Sequence, residues 1–327
     1  MKVMTPHYYK DFRCIAGACT DTCCAGWDVD VDKDSYKYYK TVKGAFGKRL
    51  KSVMVPSQDG ECTFTLKEGG RCPFLNDDNL CDLYIELGED KLCETCAEFP
   101  RFINDYGNIR EIGIAPSCKT AGELMFSYKD ELTFDTVEDN SLSPEPNDID
   151  AYTYMQLRQA RIVAFGIISD RDISIFERLM LYLDYAKRIQ KHLDAERDEL
   201  IAGVAKRFCG PDYREKLLDK LKSRDAKLHG KRLIKGLRHF FDDFKGMEVI
   251  NPDWNIHVAR VRQFLDGLAD DSGLAAVMKT YHAGSEAFAH EYEQLAMYYV
   301  YRYMLDAVND YDLSLIHISE PTRQAEI

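Results

Sequence analysis

Ten of the eleven cysteines of this chain lie within its first 118 residues, and only Cys209 lies beyond them. The ten are Cys14, Cys19, Cys23, Cys24, Cys62, Cys72, Cys81, Cys93, Cys96 and Cys118. Their spacings are short: C-x4-C-x3-C-C from Cys14 to Cys24, C-x8-C for Cys72 and Cys81, C-x2-C for Cys93 and Cys96, then Cys118 alone. Such a block is built either on disulfides or on thiolates gathered around a metal. A disulfide framework needs an oxidising compartment. The segment Met1 to Asp11 is polar and aromatic and lacks the apolar core of an export signal. The expectation is therefore a cytoplasmic chain with reduced thiols, and metal or iron–sulfur ligation outweighs disulfide pairing.

Zinc and iron–sulfur both use clustered thiolates. Structural zinc sites usually pair two short C-x2–4-C knuckles; here Cys93 and Cys96 form one, beside the Cys19–Cys24 cluster. His7 is the sole histidine before residue 192, and all-thiolate ligation tilts the reading toward iron–sulfur, with zinc as the alternative metal. The radical S-adenosylmethionine signature C-x3-C-x2-C is absent, because Gly26 stands where its third cysteine would follow Cys19 and Cys23.

The chain has 327 residues, enough for about two domains. Its net charge of −12 argues against a nucleic-acid binder. No apolar run approaches the ~20 residues of a membrane span. The expected class is mainly α, with a Cys-rich, loop-rich α+β metal-binding module followed by a helical C-terminal domain. The expected boundaries are 1–128 for the module, 129–148 for an acidic linker containing Ser143-Pro144-Glu145-Pro146, 149–312 for the helical domain and 313–327 for a non-native tail. Leu315 to Ile327 reads as translated adapter sequence, so a native C-terminal segment is expected to be missing.

Trp27, Val29 and Val31 alternate with Asp28, Asp30 and Asp32, the pattern of a half-buried strand. The same stretch mimics a calcium loop, but Lys33 and Tyr39 stand where that loop needs Gly and Glu. Gly69-Gly70 and Asn76 to Asn79 mark turns beside Cys72 and Cys81. Ser174 with Glu177 is a capping box before Phe176, Leu179, Met180 and Leu183. Further helices are expected over Arg197–Phe208, stopped by Gly210-Pro211, over 213–245 with a basic solvated face, over Asn251–Leu268 and over Ser285–Val308. The tyrosines of the last (Tyr292, Tyr298, Tyr299, Tyr301, Tyr303) read as core. No P-loop, G-x-S-x-G, H-E-x-x-H or G-x-G-x-x-G is present, and the Gly-rich turn that commonly holds S-adenosylmethionine is missing.

Pro6-His7-Tyr8-Tyr9, Phe12-Arg13-Cys14 and Cys19-Thr20-Asp21-Thr22-Cys23-Cys24-Ala25-Gly26-Trp27 resemble the N-terminus of the flagellin lysine N-methylase family. So do Cys72-Pro73-Phe74-Leu75, Leu80-Cys81-Asp82-Leu83-Tyr84, the run from Cys93 to Arg101, Ala115-Pro116-Ser117-Cys118 and the Tyr-rich end from Tyr292 to Leu313. The central cysteine block is shared with a broader group of zinc- or iron-chelating proteins, which leaves a structural or electron-transfer role without transferase activity as the alternative. The resemblance implies methyl transfer from S-adenosylmethionine to surface lysines of flagellin, with a [4Fe–4S] cluster on Cys14, Cys19, Cys23, Cys24, Cys72, Cys81, Cys93, Cys96 and Cys118 as candidate ligands. Cys62 and Cys209 fall outside that pattern and read as bystanders. Asp21, Glu94 and Glu98 sit beside candidate ligands and are candidates to orient the substrate amine, although surface carboxylates are common on loops. Arg13, Arg71 and Arg101 are placed to offset the charge of a centre.

Overall fold

The computed structural model describes residues 1–56, 62–143, 149–225, 231–244, 249, 253–268 and 271–313. The chain opens with β1 (Lys2–Pro6) and passes through short turns to β2 (Asp30–Val31), α1 (Lys33–Thr41), α2 (Gly44–Val53), β3 (Met54–Pro56) and β4 (Cys62–Phe64). Then come α3 (Asp82–Leu87), α4 (Glu94–Glu98), β5 (Arg101–Tyr106), β6 (Ile109–Ile114), α5 (Lys119–Ser127) and β7 (Phe134–Glu138). The rest is helical: α6 (Ala151–Ile168), α7 (Ile175–Leu193), α8 (Ile201–Phe208), α9 (Pro211–Asp225), α10 (Lys231–Asp243), α11 (Asp253–Gly267), α12 (Asp271–Ser285), α13 (Ala289–Tyr303) and α14 (Ala307–Asp310). The strands form one sheet ordered β5-β6-β1-β7 and another ordered β2-β4-β3. Among the described residues, no helix is long and apolar enough to cross a membrane.

Two compact units result. One comprises Thr5–Ile103 and Ile112–Met125, and it contains every cysteine from Cys14 to Cys118. The other comprises Met1–Met4, Asn104–Glu111 and Phe126–Ile327. This division does not follow the expected order of module, linker and helical domain. The physical reason is parallel pairing of β1 with β6, Lys2 opposite Ile109 and Met4 opposite Glu111, which brings those short segments together. The stretch expected as a linker contains β7, and its Phe134 ring packs on Phe165 and Tyr301 at centroid distances of 5.3 and 4.7 Å. Residues 144–148, which carry its prolines, lie outside the described residues.

In the cysteine-bearing unit, Val29, Val31, Tyr39, Leu50, Phe64, Phe74, Leu75 and Leu83 form the core, together with Cys62, Cys72 and Cys93. The alternation around Val29 and Val31 is present as expected, although the strand itself covers only Asp30 and Val31. Asp32 ends that strand and begins α1: its Oδ1 accepts from the amides of Asp34 and Ser35 at 3.1 and 2.8 Å, and its Oδ2 accepts from the amide of Glu94 at 3.0 Å. One carboxylate therefore fixes the first turns of both α1 and α4.

In the helical unit, the capping box at Ser174 and Glu177 starts α7 as expected, and Asp150 caps α6 through the amide of Thr153 at 2.7 Å. Gly210 ends α8, while Pro211 opens α9 instead of marking a gap, since proline fits the first helical position. The Arg197–Phe208 expectation resolves into a short 3-10 turn and α8. The expected 213–245 helix is two, α9 and α10, and Ser285–Val308 is likewise divided into α13 and α14. Helix α12 was not foreseen. Of the basic run, Lys216, Lys220 and Lys235 are exposed, Lys222 pairs with Glu177, and Lys227 lies outside the described residues.

Leu157, Ala160, Ala164 and Ile168 of α6 pack with Leu181, Tyr185 and Ile189 of α7, Ile201 and Phe208 of α8, and Met297, Val300 and Tyr301 of α13. Tyr298 and Tyr301 are buried, as the aromatic stripe suggests. Within this core Arg161 donates to both oxygens of Glu111, at 2.6 Å through Nη1, and to the carbonyl of Tyr301 at 3.2 Å; the two side chains are 3% and 1% exposed. A second buried carboxylate, Glu293, accepts from Arg178 at 2.6 Å and Arg171 at 2.8 Å.

Removing one member of a buried pair strands the other charge, at about 3–5 kcal/mol. Glu111→Ala is expected to lower unfolding stability on that scale in denaturant titrations, and Arg171→Ala, at the exposed edge of its pair, by about 1 kcal/mol or less. Burial pushes the Asp306 carboxyl up to about 6, against the opposing hydrogen bond that Tyr106 Oη donates at 3.0 Å. The folded chain thus holds a proton there that the unfolded chain, ionising near 4, has released. Stability from this group is present below about pH 4 and declines as pH rises through 6. Asp306→Asn is expected to match the parent near pH 4 and to gain melting temperature over it progressively up to pH 7.

Candidate metal centre

The cysteine loops are organised by backbone pairing. The amide of Cys72 donates to the carbonyl of Cys24 at 2.8 Å, the amide of Gly26 donates to Gly70 at 2.9 Å, and Ala25 bridges Arg71 in antiparallel register. Gly69 and Gly70 turn the chain at φ of +77° and +70°, a conformation in which glycine carries no Cβ penalty. The next loop is closed by Asn76, whose Oδ1 accepts from the amides of Asp78 and Leu80 at 3.0 and 2.9 Å, and by the Leu75–Cys81 bridge. Cys81, Cys93 and Cys118 each stand immediately before a helix, α3, α4 and α5. The loop carrying Cys14 and Cys19 approaches the Asn76 turn so closely that a Cβ on Gly17 would lie 2.8 Å from the carbonyl oxygen of Asp78.

Several sulfurs accept from amides two or three residues downstream: Cys72 from Phe74 and Leu75, Cys81 from Leu83 and Tyr84, and Cys118 from Thr120 and Ala121. These donors favour the thiolate, while burial opposes it more strongly. Burial accordingly pushes Cys72 up to about 11 and raises Cys81 and Cys118. In two pairs one thiol donates to the other. Cys23 donates to Cys24, which raises the Cys23 thiol and, with Thr22 and Arg71 assisting against burial, lowers Cys24 to about 7. Cys96 likewise donates to Cys93, raising itself and lowering its acceptor.

All nine candidate ligands thus fall in one unit, and all are free thiols. Cys62 lies at the end of the ladder joining β3 and β4, fully buried; it reaches Cys93 electrostatically and donates to the carbonyl of Thr63 at 3.6 Å. Its proximity to the candidate set was not readable from spacing. Cys209 lies at the end of α8, in the other unit. Of the three arginines considered, Arg71 acts on a candidate ligand, Cys24. Arg13 instead donates to the carbonyls of Lys10 and Phe12, and Arg101 donates to Tyr9 Oη at 3.1 Å. Asp21 accepts from Thr20 at 2.9 Å and lies 3.5 Å from Lys119 Nζ, which also donates to Thr20 at 2.5 Å. Glu94 is exposed on the first turn of α4, and Glu98 is half-buried at its end.

Among the described residues, no three His, Cys, Asp or Glu side chains stand in the arrangement that holds a metal ion. The donor types are those a thiolate-bound centre uses, free thiols carried on separate loops of one unit, but the sulfurs as placed are not drawn together as such a centre needs. In the helical unit, an open recess of about 720 Å³ is lined by Asp194, Glu196, Asp198, Asp310 and Asp312 among others.

A helical second half and a set of free loop thiols in one unit define a cysteine-rich two-part protein, and comparison with known sequences places it more closely. The family model for the FliB lysine N-methylase C-terminal domain matches residues 161–317. The flagellar biosynthetic protein FliU of Salmonella muenchen is 30% identical over 135 residues, which is 40% of this chain and 80% of that protein. The lysine-N-methylases of Salmonella choleraesuis strain SC-B67 and Salmonella typhimurium strain LT2 are each 29% identical over 135 residues, 40% of this chain and 34% of theirs. The match thus spans about a third of the length of those two enzymes. No solved structure matches the chain. The chain belongs to the flagellin lysine N-methylase family.

Exposure sets the order in which the thiols meet a reagent. In the reduced, metal-free chain, iodoacetamide is expected to label exposed Cys14 at least about tenfold faster than buried Cys62 or Cys72. Peptide mapping of a time course reads this directly; equal rates before denaturation would contradict the packing described.

Proposed function

We propose that this chain is a protein-lysine N-methyltransferase acting on surface lysines of flagellin, with S-adenosylmethionine as methyl donor and a cysteine-ligated [4Fe–4S] cluster as its inorganic centre. Membership of the lysine N-methylase family carries the reading. The name lysine-N-methylase of two relatives supports lysine N-methylation as the reaction, and the flagellar name of FliU favours a flagellar protein as the target. The reading locates the reaction in the cytoplasm, with flagellin as protein partner and no nucleic acid. The acidic balance of the chain, −12, suits a lysine-bearing substrate.

The transfer is a displacement at carbon. The lysine nitrogen forms its bond to the methyl carbon as the carbon–sulfur bond of the sulfonium breaks, and a proton leaves the nitrogen. A lysine amine is protonated near neutrality, with an ordinary pKa of about 10.4. The site must therefore take that proton or lower the affinity for it. A bound cluster would cross-link the cysteine loops and set the charge around them. Among the chain's own carboxylates near the thiols, Asp21 is held by Thr20 and Lys119. Glu94, exposed beside Cys93 with its backbone fixed by Asp32, is the better placed of the candidates to orient an incoming amine.

Incubation of the anaerobically purified chain with flagellin and methyl-labelled S-adenosylmethionine tests the reading. The expected result is label on lysine, in a preparation that carries iron and acid-labile sulfide; Glu94→Gln is expected to reduce the rate about tenfold or more. Absence of label from lysine would overturn the transferase. Zinc in place of iron and sulfide would overturn the cluster and leave the transferase standing.

A further inference from the structure

The chain carries a net charge of −12, yet the stretch from Lys33 to Met54 has the opposite sign. Six lysines (Lys33, Lys37, Lys40, Lys43, Lys48 and Lys51) and Arg49 stand there against one acidic residue, Asp34. The stretch comprises α1, α2 and the start of β3, and all six lysines are exposed. Surface charge usually mixes both signs, which keeps like charges apart. The basic run of α9 and α10 does so: Lys222 pairs with Glu177, Arg238 with Asp266, and Asp242 with Arg262. On α1 and α2, Lys37 pairs with Asp34 and Arg49 with Asp82, and among the described residues the other five lysines have no ion pair.

This segregation weakens the helices that carry it. Lys33 and Lys37 are four residues apart, Lys37 and Lys40 three, and Lys48 and Lys51 three, so like charges are neighbours on the helix surface. Lys33 begins α1 and Lys43 immediately precedes α2, at the positive ends of the two helix dipoles, where a cation is disfavoured. Both helices contribute to a recess of about 340 Å³ lined by Tyr36, Lys40, Lys51 and Met54. Lys40 Nζ lies 4.8 Å from the centre of the Tyr36 ring, and Lys51 Nζ donates to the carbonyl of Val42 at 2.9 Å. The recess therefore offers two ammonium groups whose partners are neutral, together with an aromatic ring and a thioether.

We propose that α1 and α2 form a docking surface for an acidic segment of the protein substrate, whose carboxylates pair with Lys40 and Lys51 at the recess and with the lysines around it. This deepens the transferase reading above and rests on it for the partner's being the substrate. Charge complementarity carries the choice of partner. A carboxylate-bearing chain offsets the repulsion among the lysines and the cations at the two helix starts. S-adenosylmethionine, with a sulfonium and an ammonium against one carboxylate, does not. The surface is also tied to the carboxylate proposed to orient the amine, because Asp32 caps α1 and accepts from the amide of Glu94. Lys40 stands about 12 Å further along α1, a distance spanned by about four extended residues. The lysines favoured for methylation are then those with Asp or Glu a few residues away.

The test uses the full chain and a fluorescein-labelled peptide of alternating Glu and Ser, with a peptide of alternating Gln and Ser as control. Fluorescence anisotropy is expected to show the parent binding the glutamate peptide and not the glutamine one, with affinity falling as salt rises. Lys40→Glu with Lys51→Glu is expected to weaken that binding at least about tenfold. Lys216→Glu with Lys220→Glu, exposed on α9 and equal in change of charge, is expected to leave it unchanged. Circular dichroism checks folding; should the reversed chain not fold, Lys40→Gln with Lys51→Gln is read instead, with a loss in the same direction. With flagellin and methyl-labelled S-adenosylmethionine, the reversed chain is expected to show a raised KM at unchanged kcat. No binding of the glutamate peptide by the parent, or equal binding by the parent and the reversed chain, overturns the surface. Tighter binding of single-stranded RNA than of the glutamate peptide overturns the acidic segment as its occupant. An unchanged KM in the reversed chain overturns the assignment to the substrate. Failure of the parent to transfer methyl groups, with peptide binding intact, overturns the transferase reading and leaves the docking surface standing.

Discussion

The cysteine-bearing unit depends on one short stretch of pairing, the backbone around Cys24 against the backbone around Cys72. Without it the first cysteine cluster and the C-P-F-L loop would be separate pieces of coil. With it, Phe74 and Leu75 are set into the core beside Val29 and Val31, and Cys72 goes in with them. Asp32 adds the second constraint by tying α1 to α4, so that Cys93 enters the same core. The unit contains only short elements, and hydrogen bonds between loops do the work that long helices do elsewhere.

The helical unit is stabilised differently. Its two longest helices, α6 and α7, are capped by Asp150 and Ser174, and their buried apolar residues recur at helical spacing. The unusual feature there is charge at depth. Arg161 with Glu111, and Arg178 with Glu293, are closed by hydrogen bonds in a largely apolar interior. Such pairs add little net stability over a hydrophobic replacement. They do penalise any arrangement in which one partner is buried without the other, and so they narrow the ways in which the helices can pack.

What was legible in the sequence is what is local. The capping box at Ser174, the glycine turn at Gly69-Gly70 and the alternation at Val29 and Val31 all involve neighbours a few residues apart. The sheet was not legible, because β1 pairs with β6 across about a hundred intervening residues and neither strand is strongly patterned. Helix α12 was missed because its sequence, with Gly273, Ala276, Gly284 and exposed Val277 and Tyr281, shows no clean apolar stripe. The nine candidate cysteines were recognised as a set, but which of them enter the core was not. One signal was available: Cys72 is followed by Pro73-Phe74-Leu75, and Cys81 and Cys93 have leucine neighbours, whereas Cys19 and Cys23 run among Gly, Ala, Thr and Asp. Apolar flanks mark a thiol that goes into a core.

Arg161 is the first residue of the stretch that matches the family's C-terminal domain, and its counter-charge, Glu111, lies outside that stretch on β6. A boundary drawn from sequence similarity therefore cuts through an ion pair. The excised helices would carry an uncompensated guanidinium in their interior, so the natural unit of inheritance and the electrostatically complete unit of this protein are not the same piece of chain.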